Sequence, residues 1–367
     1  MERCQRCIMP SDIPGVSMDS DGVCNYCRKH DRIVDSIGPL SEKKQKHLNE
    51  ILNKYRGRKP FDCIIGLSGG KDSTFLLYLA VKKYRMHPLV INFDNGYRSQ
   101  DAINNIEKTV NKLGVDLIVV KPNPRIIHQL QKIFLTKAGE FCTPCLMHID
   151  GIGERLAKCY GIKLMISGCD ESLSTAIAGI SIASYYDRDY FMNTIGKELS
   201  ISAIKMFIKK PHLKKAFGRI LGTEPVKINL LENIRYNILE METILKEELN
   251  WSAPGGEIQH GDCLLDHLKD YLVYQKYGVS EHTQLLSMLI RKGEMSREIA
   301  LQQAMREERC TPPDILFRFL NDIDMKPEEF ELAKKRHFSE IPNVRSKTYF
   351  KLAEKMVSRS LKFMKRI

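Results

Sequence analysis

"GLSGGKDS", residues 66–73, governs how the rest of this chain is read. It stands between two apolar runs, "DCIIGL" at 62–67 and "TFLLYLA" at 74–80. The pattern predicts a strand, a tight glycine loop and a helix. Glycines let backbone N–H groups approach phosphate oxygens, and a helix N-terminus adds positive potential at the same place. Lys71 supplies a mobile charge, Ser68 and Ser73 supply hydroxyls, and Asp72 sets an acid beside them. A Walker loop, G-x-x-x-x-G-K-[ST], needs a hydroxyl directly after its lysine. Here Asp72 follows Lys71, and Gly66 stands four positions before Gly70, so that template fails and γ-phosphate transfer is disfavoured.

Working outward, "PLVINF" (88–93), "DLIVVK" (116–121) and "KLMISG" (163–168) read as further strands. Helical patterns fall at 73–84, 99–113, 124–138 and 147–160. Strand–helix alternation predicts an α/β fold, a doubly wound parallel sheet with ligands at the strands' C-terminal ends. Residues 40–57 place Leu40, Leu48, Ile51, Leu52 and Tyr55 near one helical face, whereas residues 1–30 show little helical period. After about residue 175 longer helical patterns take over. The expected division is a four-cysteine segment over 1–35, a nucleotide domain over 36–200 and a mainly helical region over 201–367.

A chain of 367 residues, 43% hydrophobic and 28% charged, has the makings of a folded enzyme-sized protein and is not a disordered one. No stretch approaches the roughly 20 apolar residues of a membrane span. The opening "MERCQRCIMP" has no apolar signal-peptide core, so a cytoplasmic location is expected. A net charge of +12 favours anionic partners: nucleotides, nucleic acid or a membrane surface. The stretch 202–222 holds six lysines and arginines and no acid, and 345–367 reads as a basic amphipathic helix. Such a helix either docks by its apolar face or touches a membrane or nucleic acid.

Eleven cysteines without a signal peptide argue for metal, redox or catalytic use. Cys4-x-x-Cys7, sixteen residues, then Cys24-x-x-Cys27 fits a four-cysteine zinc site, with iron as the rival ion. Cys142-x-x-Cys145 at a helix start predicts depressed thiol pKa values. It suits a redox pair, two ligands of an iron–sulfur cluster, or packing; Cys263 and Cys169 are the candidate third ligands. Cys63 and Cys159 read as core residues, and Cys310 has no polar setting. Asp94 in "NFDNGY" (92–97) and Gly168 and Asp170 in "ISGCDES" (166–172) follow strands and are candidates for the nucleotide site. Either acid serves equally as a turn residue or helix cap. Glu257 and His260, in "PGGEIQHGD" (254–262), are candidates for proton transfer.

"SGGKDS" resembles the pyrophosphate loop of the ATP pyrophosphatase, or PP-loop, superfamily, which includes GMP synthetase, asparagine synthetase and tRNA thiolases. The resemblance implies that Ser68, Gly69, Gly70, Lys71, Asp72 and Ser73 hold ATP, with Asp94 placed to hold Mg2+ or the ribose, and with Lys71, Asp72 and Asp170 acting in catalysis. It also implies that ATP is split between its α- and β-phosphates: a substrate oxygen is adenylated, and a nucleophile then displaces AMP. The "RCQRCIMP" opening, "CTPC" (142–145) and "KYGVSEHTQLLSMLIRKGEMSREIAL" (276–301) extend the likeness over most of residues 1–310. Together they resemble the N-acetyl sugar amidotransferases of surface-polysaccharide (O-antigen, lipopolysaccharide) synthesis. That family converts the acetamido group of a sugar to an acetamidino group, with ammonia from separate glutaminase and cyclase-like subunits. Where the family carries "GGEHHES"-like residues, this chain has "GGEIQHGDC" (255–263), which moves the histidine and adds Cys263. That departure supports an alternative drawn from the superfamily's thiolases. Cys142, Cys145 and Cys263 would hold a [4Fe–4S] cluster for sulfur transfer to an amide or to tRNA, and the basic charge would suit RNA.

Overall fold

A computed structural model describes residues 2–13, 15–37, 42–58, 60–168, 188–208, 218, 223–234, 236–254, 261–306 and 311–336. Helix α1 (Asn25–Ile37) begins inside the second Cys-x-x-Cys pair, so Cys27 is presented from its first turn. The period is masked in the sequence because only the end of the 1–30 stretch is helical. Helix α2 (Glu42–Tyr55) falls where the spacing predicts it and buries Leu48, Leu52 and Tyr55.

Strand β1 (Cys63–Gly66) leads through the glycine loop into α3 (Lys71–Tyr78), which continues as a π-helical turn over Leu79–Lys83. Then follow β2 (Pro88–Phe93), α4 (Gln100–Leu113), β3 (Asp116–Val120), α5 (Pro124–Ala138), α6 (Thr143–Cys159) and β4 (Leu164–Ser167). All four expected strands form. Helix α4 starts on Ser99, whose side chain accepts from the Ala102 N–H, and ends on the left-handed Gly114. Those are the residue types that satisfy orphaned helix ends. Helix α6 starts at Thr143, earlier than its apolar period indicates, because Pro144 suits a first turn. Beyond α7 (Arg188–Ile195) lies a strand the sequence reading missed, β5 (Val226–Asn229), paired with β4.

The sheet has the order β3-β2-β1-β4-β5, and every pairing is parallel. Strand order reverses between β1 and β4, which places a topological switch point at their C-terminal ends. β1 is buried on both faces, as its continuous apolar run requires. Ile65 packs with Leu76 and Leu77 of α3, whereas Ile64 packs with Leu89, Ile91 and Ala157 of α6.

The C-terminal region supplies α8 (Ile238–Leu249), α9 (Leu265–Tyr277), α10 (Glu281–Lys292), α11 (Arg297–Arg306), α12 (Ile315–Asp322) and α13 (Pro327–Ala333). Leu286, Met288, Ala300 and Ala304 from α10 and α11 join the same core as β1 and α3. Leu316, Phe319 and Phe330 from α12 and α13 close instead over Tyr97 and Phe141. The helical region is thus packed onto the sheet domain at two places. Among the described residues no helix is long and apolar enough to cross a membrane. Cys169, Asp170, Glu257, His260, Cys310 and the 345–367 segment lie outside the described residues, as does most of the basic stretch 205–219. Cys63 is buried as expected, but Cys159 is exposed and is not a core residue. It closes the last turn of α6, and Ala157 faces the core in its place.

Candidate active site

The glycine loop sits at the switch point. Gly69 has φ +86°, and a Cβ there would lie 2.3 Å from the Ala102 carbonyl oxygen, so conformation and space both demand glycine. Its own carbonyl accepts from Trp251 Nε1 at 2.9 Å and from Asn105 Nδ2 at 3.2 Å. Within the loop the Ser73 hydroxyl accepts from the Ser68 N–H at 3.1 Å and lies 3.0 Å from the Ser68 hydroxyl. The Ser68 hydroxyl also accepts from the Gly70 N–H at 3.3 Å. Gly70 caps α3 and has no side chain to occupy the helix's first N–H groups, the arrangement an anion seeks. Lys71 Nζ stands 3.3 Å from Asp72 Oδ2, so one carboxylate keeps the mobile charge beside the loop.

The other sequence candidates distribute unevenly around this loop. Gly168 ends β4, and a Cβ there would meet the Asp72 carbonyl oxygen at 3.6 Å, which brings the β4 end up to the start of α3. Asp94 lies at the end of β2 with both carboxylate oxygens engaged: Oδ1 accepts from the Gly96 N–H at 2.9 Å, and Oδ2 is 3.0 Å from Lys121 Nζ. Burial works to raise its pKa, but the Gly96 N–H and Lys121 outweigh that and hold the carboxyl below the usual range. Here Asp94 acts as the turn residue of its "DNG" sequence.

Two residues that motif reading passed over tie the site together. Arg98 donates to the Ser68 carbonyl at 3.2 Å, twice to the Phe93 carbonyl, and to Asp262 Oδ2 at 3.2 Å. The Asp262 carboxylate lies 3.5 Å from where a Gly70 Cβ would stand. A short antiparallel bridge between Arg98 and Cys263 fixes this segment, and the Leu264 N–H donates to the Tyr97 carbonyl at 2.8 Å. No spacing rule marks a lone arginine or aspartate; only the cysteine after Asp262 draws attention.

Cys263 brings the second feature. Asn95 Nδ2 lies 3.6 Å from Cys263 Sγ and 3.9 Å from Cys145 Sγ, and Gln131 Nε2 lies 3.8 Å from Cys145 Sγ. Cys142 caps α6, one turn before Cys145. Burial raises the pKa of Cys142 well above the usual thiol value, brings Cys145 to about 12 and raises Cys263. The sequence expectation of depressed pKa values is therefore corrected. The positive end of α6 is spent on Glu140, whose Oε2 accepts from the Cys142 and Thr143 N–H groups at 2.8 and 3.0 Å. Near Cys142, the ammonium of Lys269 is held 2.6 Å from Asp266 and 2.8 Å from Glu281.

A third cluster lies in the N-terminal segment, packed against Val273 and Val279. Cys4, Cys7, Cys24 and Cys27 are fully buried, with Sγ atoms all within 4.8 Å of one another. Cys4 to Cys27 is 3.9 Å and Cys7 to Cys24 is 3.7 Å. Four sulfurs bonded at about 2.3 Å to one tetrahedral ion stand about 3.8 Å apart, so the cage fits a single metal ion. Backbone N–H groups of Cys7 and Cys24 point at Cys4 Sγ, and Arg291 NH1 lies 3.8 Å from Cys7 Sγ; these are donors suited to ligand thiolates.

Residues 62–168 match the family model of the phosphoadenosine phosphosulfate reductase domain. Residues 261–362 match the model described as LPS biosynthesis protein WbpG-like, C-terminal domain. A relative, the uncharacterized protein MJ1599 of Methanocaldococcus jannaschii, is 26% identical over 267 residues, 72% of this chain and 80% of its own. Among solved structures, the U34-tRNA thiolase NcsA from Methanococcus maripaludis with its [4Fe-4S] cluster aligns at 16% identity and TM-score 0.36 over 86% of this chain and 91% of its own. NMN synthetase from Francisella tularensis aligns at 13% identity and TM-score 0.34 over 79% of this chain and 95% of its own. The chain therefore joins a PP-loop, ATP-pyrophosphatase-type domain to a WbpG-like C-terminal domain.

Proposed function

We propose that this protein is an AMP-forming amidotransferase that turns the acetamido group of a nucleotide-linked N-acetyl sugar into an acetamidino group. The observation that carries the reading is Asp262: the WbpG-like region, 261–362, starts at the nucleotide loop and places a carboxylate against Gly70. A region of lipopolysaccharide-synthesis type thus borders the phosphate cradle, which supports a substrate bound next to ATP.

The chemistry follows from the cradle. An amide carbonyl is a poor electrophile. Its oxygen attacks the α-phosphorus of ATP, the bond to the β-phosphate breaks, and pyrophosphate leaves. Ammonia then adds to the imidate carbon, AMP departs with the C–O bonding pair, and a proton lost from nitrogen gives the amidine. The N–H groups at the start of α3 and Lys71 stabilise the charge that builds on pyrophosphate; Asp72 and Asp94 are the carboxylates that would hold Mg2+, which would add to that stabilisation when bound. We assign proton transfer to Glu257 and His260, nucleotide closure to Asp170, and ammonia supply to separate glutaminase and cyclase-like subunits. The four-cysteine cage we assign to zinc, as a structural staple for a segment too small to build its own core.

The test is AMP and pyrophosphate release from ATP, ammonium and a panel of N-acetyl sugar nucleotides, with the product mass lowered by the exchange of oxygen for an imino group. Lys71→Ala should lower turnover by about 100-fold or more. Absence of an amidine product across the panel would overturn the reading.

One observation favours a second reading: Cys145 and Cys263 meet around Asn95 beside the glycine loop, and Cys142 caps α6 one turn before Cys145. Three thiolates on a [4Fe–4S] cluster leave one iron open to carry sulfide, which would replace ammonia as the nucleophile and give a thioamide or a thiolated base. Protein purified without oxygen would then hold iron and acid-labile sulfide beyond its zinc.

A further inference from the structure

We propose that Asn95 is the positioning residue of a metal centre at Cys142, Cys145 and Cys263, donating its amide to two of the three sulfurs; this rests on the second reading above. The argument begins with the orientation of the amide. Asn95 Oδ1 accepts from the Tyr97 N–H at 3.0 Å. An amide nitrogen has no lone pair to offer there, so the oxygen faces the backbone and the NH2 faces the sulfurs. That NH2 reaches Cys263 Sγ at 3.6 Å and Cys145 Sγ at 3.9 Å.

A donor aimed at two sulfurs calls for sulfur as acceptor. Gln131 repeats the arrangement: fully buried, it points Nε2 at Cys145 Sγ, while its Oε1 has no partner among the described residues. A buried glutamine that leaves its acceptor orphaned gains most when the sulfur opposite its donor is anionic. Two amide donors converging on these sulfurs are the kind of outer contact that metal-bound thiolates accept. Cys145 in the first turn of α6 and Cys263 before α9 come from distant segments and are joined through this one amide, with Cys142 at the cap of α6 one turn before Cys145. Outer donors of this kind orient first ligands and set the potential of iron–sulfur centres.

Asn95→Asp separates the two jobs of the side chain. It keeps the oxygen that accepts from Tyr97, removes the donor, and turns a negative charge on the sulfurs. In full-length protein purified and handled without oxygen, wild type should bind iron and sulfide beyond the zinc, with a charge-transfer band in the visible spectrum. In Asn95→Asp the iron retained after a chelator challenge should fall about 10-fold or more, and the midpoint potential should move to a more negative value. Asn95→Gln, which keeps the donor, should restore part of both. If Asn95→Asp does not fold, Gln131→Leu decides: it removes the donor to Cys145 alone and should shift the potential in the same direction by less. Iron in wild type with unchanged retention and potential in the folded variants would overturn the role of Asn95 and leave the cluster reading standing. A wild-type protein without iron, reconstituted or as purified, would overturn both.

Discussion

The indole Nε1 of Trp251 donates to the Gly69 carbonyl at 2.9 Å, so the chain's single tryptophan rests directly on the nucleotide loop. A phosphate drawn onto the loop's N–H groups polarises the same peptide. ATP should therefore change the intrinsic fluorescence saturably, and Lys71→Ala should weaken that titration. Trp251→Phe removes one of the two donors to the Gly69 carbonyl, leaving Asn105 Nδ2, and should cost about 0.5–1.5 kcal/mol of stability, read by denaturant unfolding.

Gly69 and Gly66 bracket the same loop and should respond oppositely to alanine. At Gly69 the positive φ and the Ala102 carbonyl oppose a Cβ, and strain of about 1–3 kcal/mol is expected along with loss of ATP binding. At Gly66 nothing lies within 4 Å of a built Cβ. Gly66→Ala should keep both the melting temperature and nucleotide affinity. Equal damage from the two would show that the Ala102 contact is not what requires glycine.

Asp270 gives the folded state a pH dependence. Burial first, then the nearby Glu281, raises its carboxyl to about 7, although the Glu281 N–H donates to it at 2.6 Å and Lys269 opposes the shift. An acid whose folded pKa exceeds its unfolded value costs nothing while protonated in both states. The cost appears as pH rises above about 4, grows until about 7 and is constant beyond, up to about 4 kcal/mol at 1.36 kcal/mol for each pH unit. Asp270→Asn keeps the acceptor and removes the ionisation. It should match wild type near pH 4 and exceed it in stability at pH 8 by denaturant titration.

The four-cysteine cage is braced by α11. Arg297 Nε and NH2 donate to the Cys4 carbonyl at 3.4 and 3.2 Å, and Nε also donates to the Cys7 carbonyl at 3.1 Å. Arg297→Ala should keep whatever metal the cage binds in wild type, by elemental analysis, yet lose about 1–3 kcal/mol of stability. Chelation should lower the melting temperature further, because it leaves four buried thiols without a common ligand.

How much of this was legible depended on whether a residue's role follows from its neighbours in sequence. The β1–loop–α3 unit was, since a continuous apolar run, two glycines and a helical period all lie within twenty residues of one another. The pairs Cys4–Cys7 and Cys24–Cys27 were, because ligand spacing is local. β5 was not: "VKIN" is four residues long and has no apolar run of its own, and only pairing with β4 makes it a strand. Arg98, Asn95 and Trp251 were also missed. Each acts on a segment far along the chain, Asn95 reaching Cys263 and Trp251 reaching Gly69, and such contacts leave no periodic trace. Asn95 was hidden further by its "DNG" setting, which reads as an ordinary turn.

The backbone pairing of Arg98 with Cys263 has a consequence for the order in which the protein is made. As the chain leaves the ribosome, its five strands are all available once residue 229 has emerged, and the sheet can assemble. At that moment the loop still lacks Trp251 on its carbonyl, and Asp262 is not yet beside Gly70. A nascent chain should therefore be able to pair its strands before it acquires a finished nucleotide site. Premature termination before residue 251 would remove Trp251 from the loop and α10 and α11 from the core under β1, so the fragment should hold ATP poorly instead of spending it.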